Sequence, residues 1–178
     1  MKLSKGFTLI ELIVVSGIVV IIITIAIDLL VSIAQYQRKI LSEQEISSQM
    51  SYVVEYMARA IRMAKKDTTG ECLGSGNEGH NYLLTRGDKG IKFINHSDND
   101  ICQEFFWDDS KIKEIKGSGT ELPLNSERIQ INALRFNISG DVTGDTLQPR
   151  VTIFIEAQIE QVKRQIQTTV SQRNIDSQ

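Results

Sequence analysis

Lys5-Gly6-Phe7-Thr8-Leu9-Ile10-Glu11-Leu12 opens the run that decides how this chain is organised. A basic, glycine-ended leader passes directly into hydrophobic sequence, with one carboxylate set just inside it. From Phe7 to Ile27 there are 21 residues, and 15 of them are Phe, Leu, Ile or Val. As a helix that run is about 32 Å long, enough to cross a bilayer core. At roughly −0.4 kcal/mol per side chain the run supplies about −6 kcal/mol of insertion free energy. One carboxylate costs about +3 kcal/mol at the centre and less near an end. Glu11 therefore does not prevent insertion. It does require a role, because an ionisable group inside a span is functional by default.

The junction Gly6-Phe7-Thr8-Leu9-Ile10-Glu11-Leu12 resembles the signal of the type IV prepilins, a family that includes type IV pilins and the pseudopilins of type II secretion. The resemblance covers about the first 25 residues. It implies cleavage between Gly6 and Phe7 by a membrane-embedded prepilin peptidase and methylation of the new amine on Phe7. It also puts Glu11 in the place of the family's assembly glutamate. Two plainer readings compete. A signal anchor would also keep Lys2 and Lys5 on the cytoplasmic side. A secretory signal peptide could be cut after Ser32-Ile33-Ala34, but its apolar stretch is usually about 7–15 residues, well short of this one.

With leader and span removed, the 178 residues leave about one domain. A net charge of −2 gives no global attraction to nucleic acid or to an acidic surface. A head outside the cytoplasm allows a Cys72–Cys102 bridge, with two free thiols as the alternative. The bridge would contribute about 3 kcal/mol by loop-closure entropy. These cysteines and the distant His80 and His96 lack the spacing of a zinc site.

Beyond the span, no Pro or Gly interrupts Ser32 to Ala64. Ile46, Met50, Val53, Val54, Met57, Ile61 and Ala64 recur at three-and-four spacing, which predicts an amphipathic helix with one face on a head domain. Glu43, Glu45, Glu55, Arg59, Arg62 and Lys65 fall mostly off that stripe. Many major pilins have a kinking proline where this chain has Asp28, which points to a minor component. The run Met57–Ala64 after a Gln/Ser-rich helix resembles minor pilins of the W type and pseudopilins of the J class. The tail Gln167–Asn174 is similar to the ends of many such proteins.

Asp67–His80 carries Gly70, Gly74, Gly76 and Gly79 and reads as a loop, without the Gly-Lys-Ser/Thr of a phosphate loop. Short strands follow. Asn81–Thr85 and Ile91–Ile94 flank Arg86–Gly90, so Arg86-Gly87-Asp88 reads as a turn rather than an adhesion tripeptide. Cys102–Trp107 and Lys111–Ile115 flank another turn. In Arg128–Ile138 the apolar face shifts phase, from Ile129, Ile131 and Ala133 to Leu134, Phe136 and Ile138. That predicts a β-bulge or bend. Val151, Ile153, Ile155, Ala157 and Ile159 alternate with Thr152, Glu156, Gln158 and Glu160, and Ile166, Thr168 and Val170 continue on a last strand. One wet and one buried face fit an antiparallel sheet.

Asp98, Asp100, Asp108 and Asp109 read as solvated turn acids without an EF-hand pattern. His80 and His96 fall in loops without partners. Lys111, Lys113 and Lys116, with Glu114 among them, read as a solvated face rather than a DNA contact. No catalytic arrangement, metal set or phosphate cradle is present in the pattern, so neither enzyme activity nor a cofactor is expected.

The expectation is an α+β, pilin-like protein. A leader (1–6), a transmembrane and assembly helix (7–31) and an amphipathic helix (32–66) precede an antiparallel sheet head (67–178). The resemblance implies a minor pilin or pseudopilin with prepilin peptidase, other pilins and an inner-membrane assembly platform as partners. It implies a single pass through the inner membrane, the head outside, and later residence in a pilus or pseudopilus. A membrane-anchored extracytoplasmic enzyme or binding module, or a DNA-uptake pilin, are the alternatives.

Overall fold

A computed structural model describes residues 6, 8–141 and 147–173. Asn174, the last residue of the quoted tail, lies outside the described residues, as does Phe7. The chain forms two compact units, Met1–Leu41 and Ser42–Gln178, and one helix, α1 (Leu9–Arg62), contributes to both.

In the first unit every described residue is exposed. The helix forms because nothing in it breaks the backbone ladder. The hydroxyls of its apolar run are satisfied within the helix: Ser16 donates to the Ile13 carbonyl (2.9 Å) and Thr24 to that of Val20 (2.9 Å). Such back-bonding keeps these hydroxyl hydrogens from facing a hydrocarbon surrounding unsatisfied. Ser32-Ile33-Ala34 sits in mid-helix, with the Ser32 hydroxyl on the Asp28 carbonyl.

In the second unit α1 buries Ile46, Met50, Val53, Met57, Ala60 and Ile61, the three-and-four stripe expected of an amphipathic helix. It stops at Arg62, short of the expected 66. The Met63 amide tightens the last turn onto the Ala60 carbonyl (3.0 Å), and Ala64–Lys65 becomes strand β1. Ala64 is buried as its place on the stripe requires, but it pairs opposite Asn95 instead of continuing the helix.

The antiparallel strands divide into two sheets. The first holds β1, β2 (Leu83–Thr85), β3 (Gly90–Asn95), β4 (Ile101–Asp108), β5 (Lys111–Lys116) and β6 (Leu122–Pro123), in the order β1-β3-β4-β5-β6, with β2 sharing an edge of β3. The second holds β7 (Gln130–Ser139), β8 (Arg150–Ile159) and β9 (Val162–Ser171) in sequence order. The sheets stay separate because β7 meets hairpin turns rather than a strand. Its Phe136 amide donates to the Asp88 carbonyl and its Ile131 amide to that of Ser110, each at 2.9 Å.

Local chemistry sets the turns. Asp109 and Ser110 both adopt positive φ (46° and 58°), the two-residue connection that matches the twist of its strands. The expected bulge falls at Asn132: Ile131 pairs with Ala157 and Leu134 with Ile155, so β7 advances one residue more than β8. That extra residue keeps Ile131, Leu134 and Phe136 all on the buried side.

One core joins the three layers. Phe93, Phe105 and Ile112 from the first sheet and Leu134, Ile153 and Ile155 from the second close over the helix stripe. Tyr56 packs edge-on against Phe105, ring centroids 6.0 Å apart. Within this unit α1 and β9 run in the same direction. Arg164 pairs with Glu43 at one end (2.6 Å), and the Arg173 amide donates to the Arg62 carbonyl at the other (2.7 Å). Nine strand steps and nineteen helix steps both come to about 29 Å, so the two end contacts are spaced alike on both elements.

Candidate assembly helix and the anchored head

Thr8 caps α1. Its carbonyl accepts from the Leu12 amide (3.2 Å) and its hydroxyl oxygen accepts from the Glu11 amide (3.4 Å). Glu11 therefore stands at the third helical position, where amides lacking helical partners and the helix dipole favour a negative charge. The sequence carries this signal as Thr8-Leu9-Ile10-Glu11, a capping-box pattern. Glu11 is exposed, as are Leu9, Ile10 and Leu12 around it. Gly6, on the leader side of the expected cleavage point, is exposed. Phe7 itself, the expected methylation residue, lies outside the described residues.

In the head, Cys72 and Cys102 form a disulfide with Cα atoms 5.5 Å apart, tying the 67–80 loop to β4. The same loop is folded around Asp67, which is fully buried. Its Oδ1 accepts from the amides of Thr69 (3.1 Å) and Gly70 (2.8 Å), and its Oδ2 from those of Cys72 (3.0 Å) and Leu73 (2.7 Å). Burial pushes this carboxyl up, but the amides outweigh it and hold Asp67 below the usual range.

The turn acids are engaged by lysines. Asp98 accepts from Lys116 (2.6 Å), Asp100 from Lys65 (2.8 Å) and Asp108 from Lys113 (2.6 Å), while Asp109 occupies the β4–β5 turn. Lys111 is bound to the Ser126 carbonyl (2.8 Å). The basic alternation of β5 is thus consumed within the head. The two histidines correct their reading as partnerless: His80 Nδ1 lies 2.8 Å from the Asp141 carbonyl, and His96 Nδ1 lies 2.7 Å from Asp100. Loop residues distant in sequence meet here, which local pattern does not reveal. Arg86 lies 3.7 Å over the Phe106 ring and bonds Glu104 at 3.3 Å, so Arg86-Gly87-Asp88 is a packed turn.

The prokaryotic N-terminal methylation motif matches residues 1–27. The chain carries a prepilin-type signal. That signal implies processing by prepilin peptidase and assembly with other pilins, and the long helix followed by antiparallel sheets is a pilin-like architecture. No match was found among curated protein sequences or among solved structures.

The pilin-like head also holds a buried polar link that sequence reading misplaced. Glu114 does not stand in a solvated row with its lysines. It faces inward, 5% exposed, and accepts from the Tyr56 hydroxyl at 2.7 Å and from Gln103. Gln103 in turn accepts from Asn95 (2.7 Å), and Lys116 lies 4.0 Å from Glu114. Burial first, then the bond to Glu114, raises the Tyr56 hydroxyl above its ordinary value. Period-two alternation in Lys111–Lys116 puts Ile112 and Glu114 on one face, and that face is the core side. The link joins α1 to β4 and β5 and fixes the helix rotation about its own axis.

Proposed function

We propose that this chain is a minor pilin or pseudopilin, a structural subunit of a type IV pilus or type II secretion pseudopilus rather than an enzyme. The observation that carries the reading is the first unit. A prepilin-type signal precedes a helix long and apolar enough to cross a membrane, and no described residue of it is buried within the chain. A helix so exposed needs another apolar surrounding. Lipid supplies one before assembly, and the helices of neighbouring subunits supply one afterwards.

In this reading prepilin peptidase cuts after Gly6 and the amine of Phe7 is methylated. The helix waits as a single span of the inner membrane with the head outside, and an assembly platform extracts it into the filament. Glu11, four residues after Phe7, meets the amine of an adjacent subunit and sets the axial register. Asp28 in place of a proline supports the minor-component reading, and the Met57–Ala64 run supports the W or J class. The disulfide supports a head outside the cytoplasm. Mass spectrometry of the mature N-terminal peptide tests the processing step. The expected species begins with methylated Phe7, and an intact Met1 or a start at Gln35 would refute it.

A further inference from the structure

The outer face of the second sheet carries a side chain that packing does not account for. Along β8, Val151, Ile153, Ile155, Ala157 and Ile159 point into the core, so Thr152, Phe154, Glu156 and Gln158 point outward. Phe154 is the apolar member of the outward set and takes no part in the hydrophobic core cluster. It stands on the central strand of the sheet, with Arg135 directly across on β7 and Gln167 directly across on β9. One end of this face is already satisfied. Glu156, its acid, accepts from Gln165 at 2.8 Å and from Asn132 at 3.4 Å.

The other end differs. It runs from the Arg135–Phe154–Gln167 row through Asn137 to Arg150, and it contains no acid among the described residues. Neither Arg135 nor Arg150 makes an ion pair among the described residues, whereas Arg164 and Arg128 do so on Glu43 and Glu45. Arg150 lies four residues along β8 from Phe154, about 13 Å. Among the described residues, two guanidinium forks without an ion pair thus share this face with one flat apolar ring, Arg135 beside the ring and Arg150 further along, with amide and hydroxyl side chains between the two. The chain as a whole is acidic, so two arginines without an ion pair among the described residues set this face apart.

We propose that this face binds an acidic polysaccharide. The charge fits: arginine forks match carboxylate or sulfate groups in two-point contacts. The neutral side chains fit as well. Amides donate and accept together, as neighbouring sugar hydroxyls require, and Phe154 offers a surface for the apolar face of a pyranose ring. Single-stranded nucleic acid is the other polyanion with flat rings. It is disfavoured because such platforms stack successive bases on several aromatics, and this patch has one. The inference does not depend on how the N-terminal helix assembles.

The test uses the full chain in detergent micelles and fluorescence anisotropy with labelled oligogalacturonate, a neutral dextran oligosaccharide and oligo-dT. Oligogalacturonate should bind, dextran should not, and binding should weaken with salt. Arg135→Gln should lower affinity at least about tenfold, the loss expected for one charge-assisted contact. Phe154→Thr should lower it as well. Both side chains point outward, so unchanged thermal unfolding will show that the fold is intact. Lys111→Gln, on the other sheet, should change nothing. Absent binding to oligogalacturonate, or binding indifferent to both outward substitutions, overturns the proposal. Tighter binding of oligo-dT with the same dependence on Arg135 and Phe154 overturns it in favour of nucleic acid.

Discussion

Ile22 and Ile61 belong to one helix, yet 59% of the first is exposed and none of the second. The span in the first unit is apolar on every side, and none of the unit's described residues is buried within the chain. The second spends its apolar residues on one stripe and closes two sheets over it. A helix that is hydrophobic on every side requires an external apolar phase, while a striped helix brings its own. The same secondary structure thus answers to two different solvents, and substitutions should have different readouts on either side of residue 41.

The largest effect should come from the first unit and should be visible only in the assembled state. Glu11→Ala is expected to leave insertion and cleavage intact and to abolish incorporation, since it removes the carboxylate proposed to meet a neighbour's amine. Membrane level, N-terminal processing and presence in sheared filaments, compared with wild type, decide it. Normal incorporation would remove Glu11 from assembly, and loss of cleavage would assign it to peptidase recognition.

Next in size is a core substitution in the second unit. Phe105 is fully buried and touches both Tyr56 and Phe93. Phe105→Ala should cost about 3–5 kcal/mol of unfolding free energy, read by urea denaturation of the head signal. A cost below about 1 kcal/mol would mean that the sheets and helix do not share one core.

Asp67→Asn should follow, at about 2 kcal/mol, because an amide cannot accept four backbone hydrogens as a carboxylate does. The pH dependence has a definite sign. Asp67 has its carboxyl held below the usual range when folded. Its contribution is therefore fully present well above the unfolded value of about 3.9 and is lost as pH falls through the lower folded value. Denaturation midpoints across acid pH should drop less steeply in Asp67→Asn than in wild type. Parallel curves would show that the loop is held by the disulfide alone.

The smallest expected effect tests the comparison most directly. A chain beginning at Gln35 keeps every residue of the buried stripe and both sheets. Its melting temperature should match that of the full protein in detergent within a few degrees. A large drop would mean that residues before 35 support the head.

These regions also differ in what their residues disclose in advance. The span, the Ile46–Ile61 stripe and the hairpins rest on local periodicity, and periodicity is a property of adjacent sequence. The bulge at Asn132 was legible for the same reason, as a phase slip inside one strand. What escaped depends on distant partners. Asp67 organises amides from its own loop, but nothing in Asp67–His80 distinguishes a buried acid from a solvated one. His80 meets Asp141 only because the β7–β8 connection returns to the start of β2. Glu114 was misread because its lysine neighbours suggest a wet strand, although alternation alone puts it opposite them. Phe154 is the converse case, an apolar residue on the polar side of the β8 alternation, to which alternation alone gives no role. The division into two sheets was not visible because it arises from the meeting of β7 with two turns.

The parallel course of α1 and β9 has a mechanical consequence. Tension applied at the start of the second unit enters along the helix axis, and the strand beside it lies along the same line. Contacts from the Glu43–Arg164 pair to the Arg62–Arg173 bond are then loaded together in shear, not peeled one after another. Rupture in shear demands the simultaneous failure of the whole seam. A pull on the helix would therefore load both ends of that seam at once rather than one after the other.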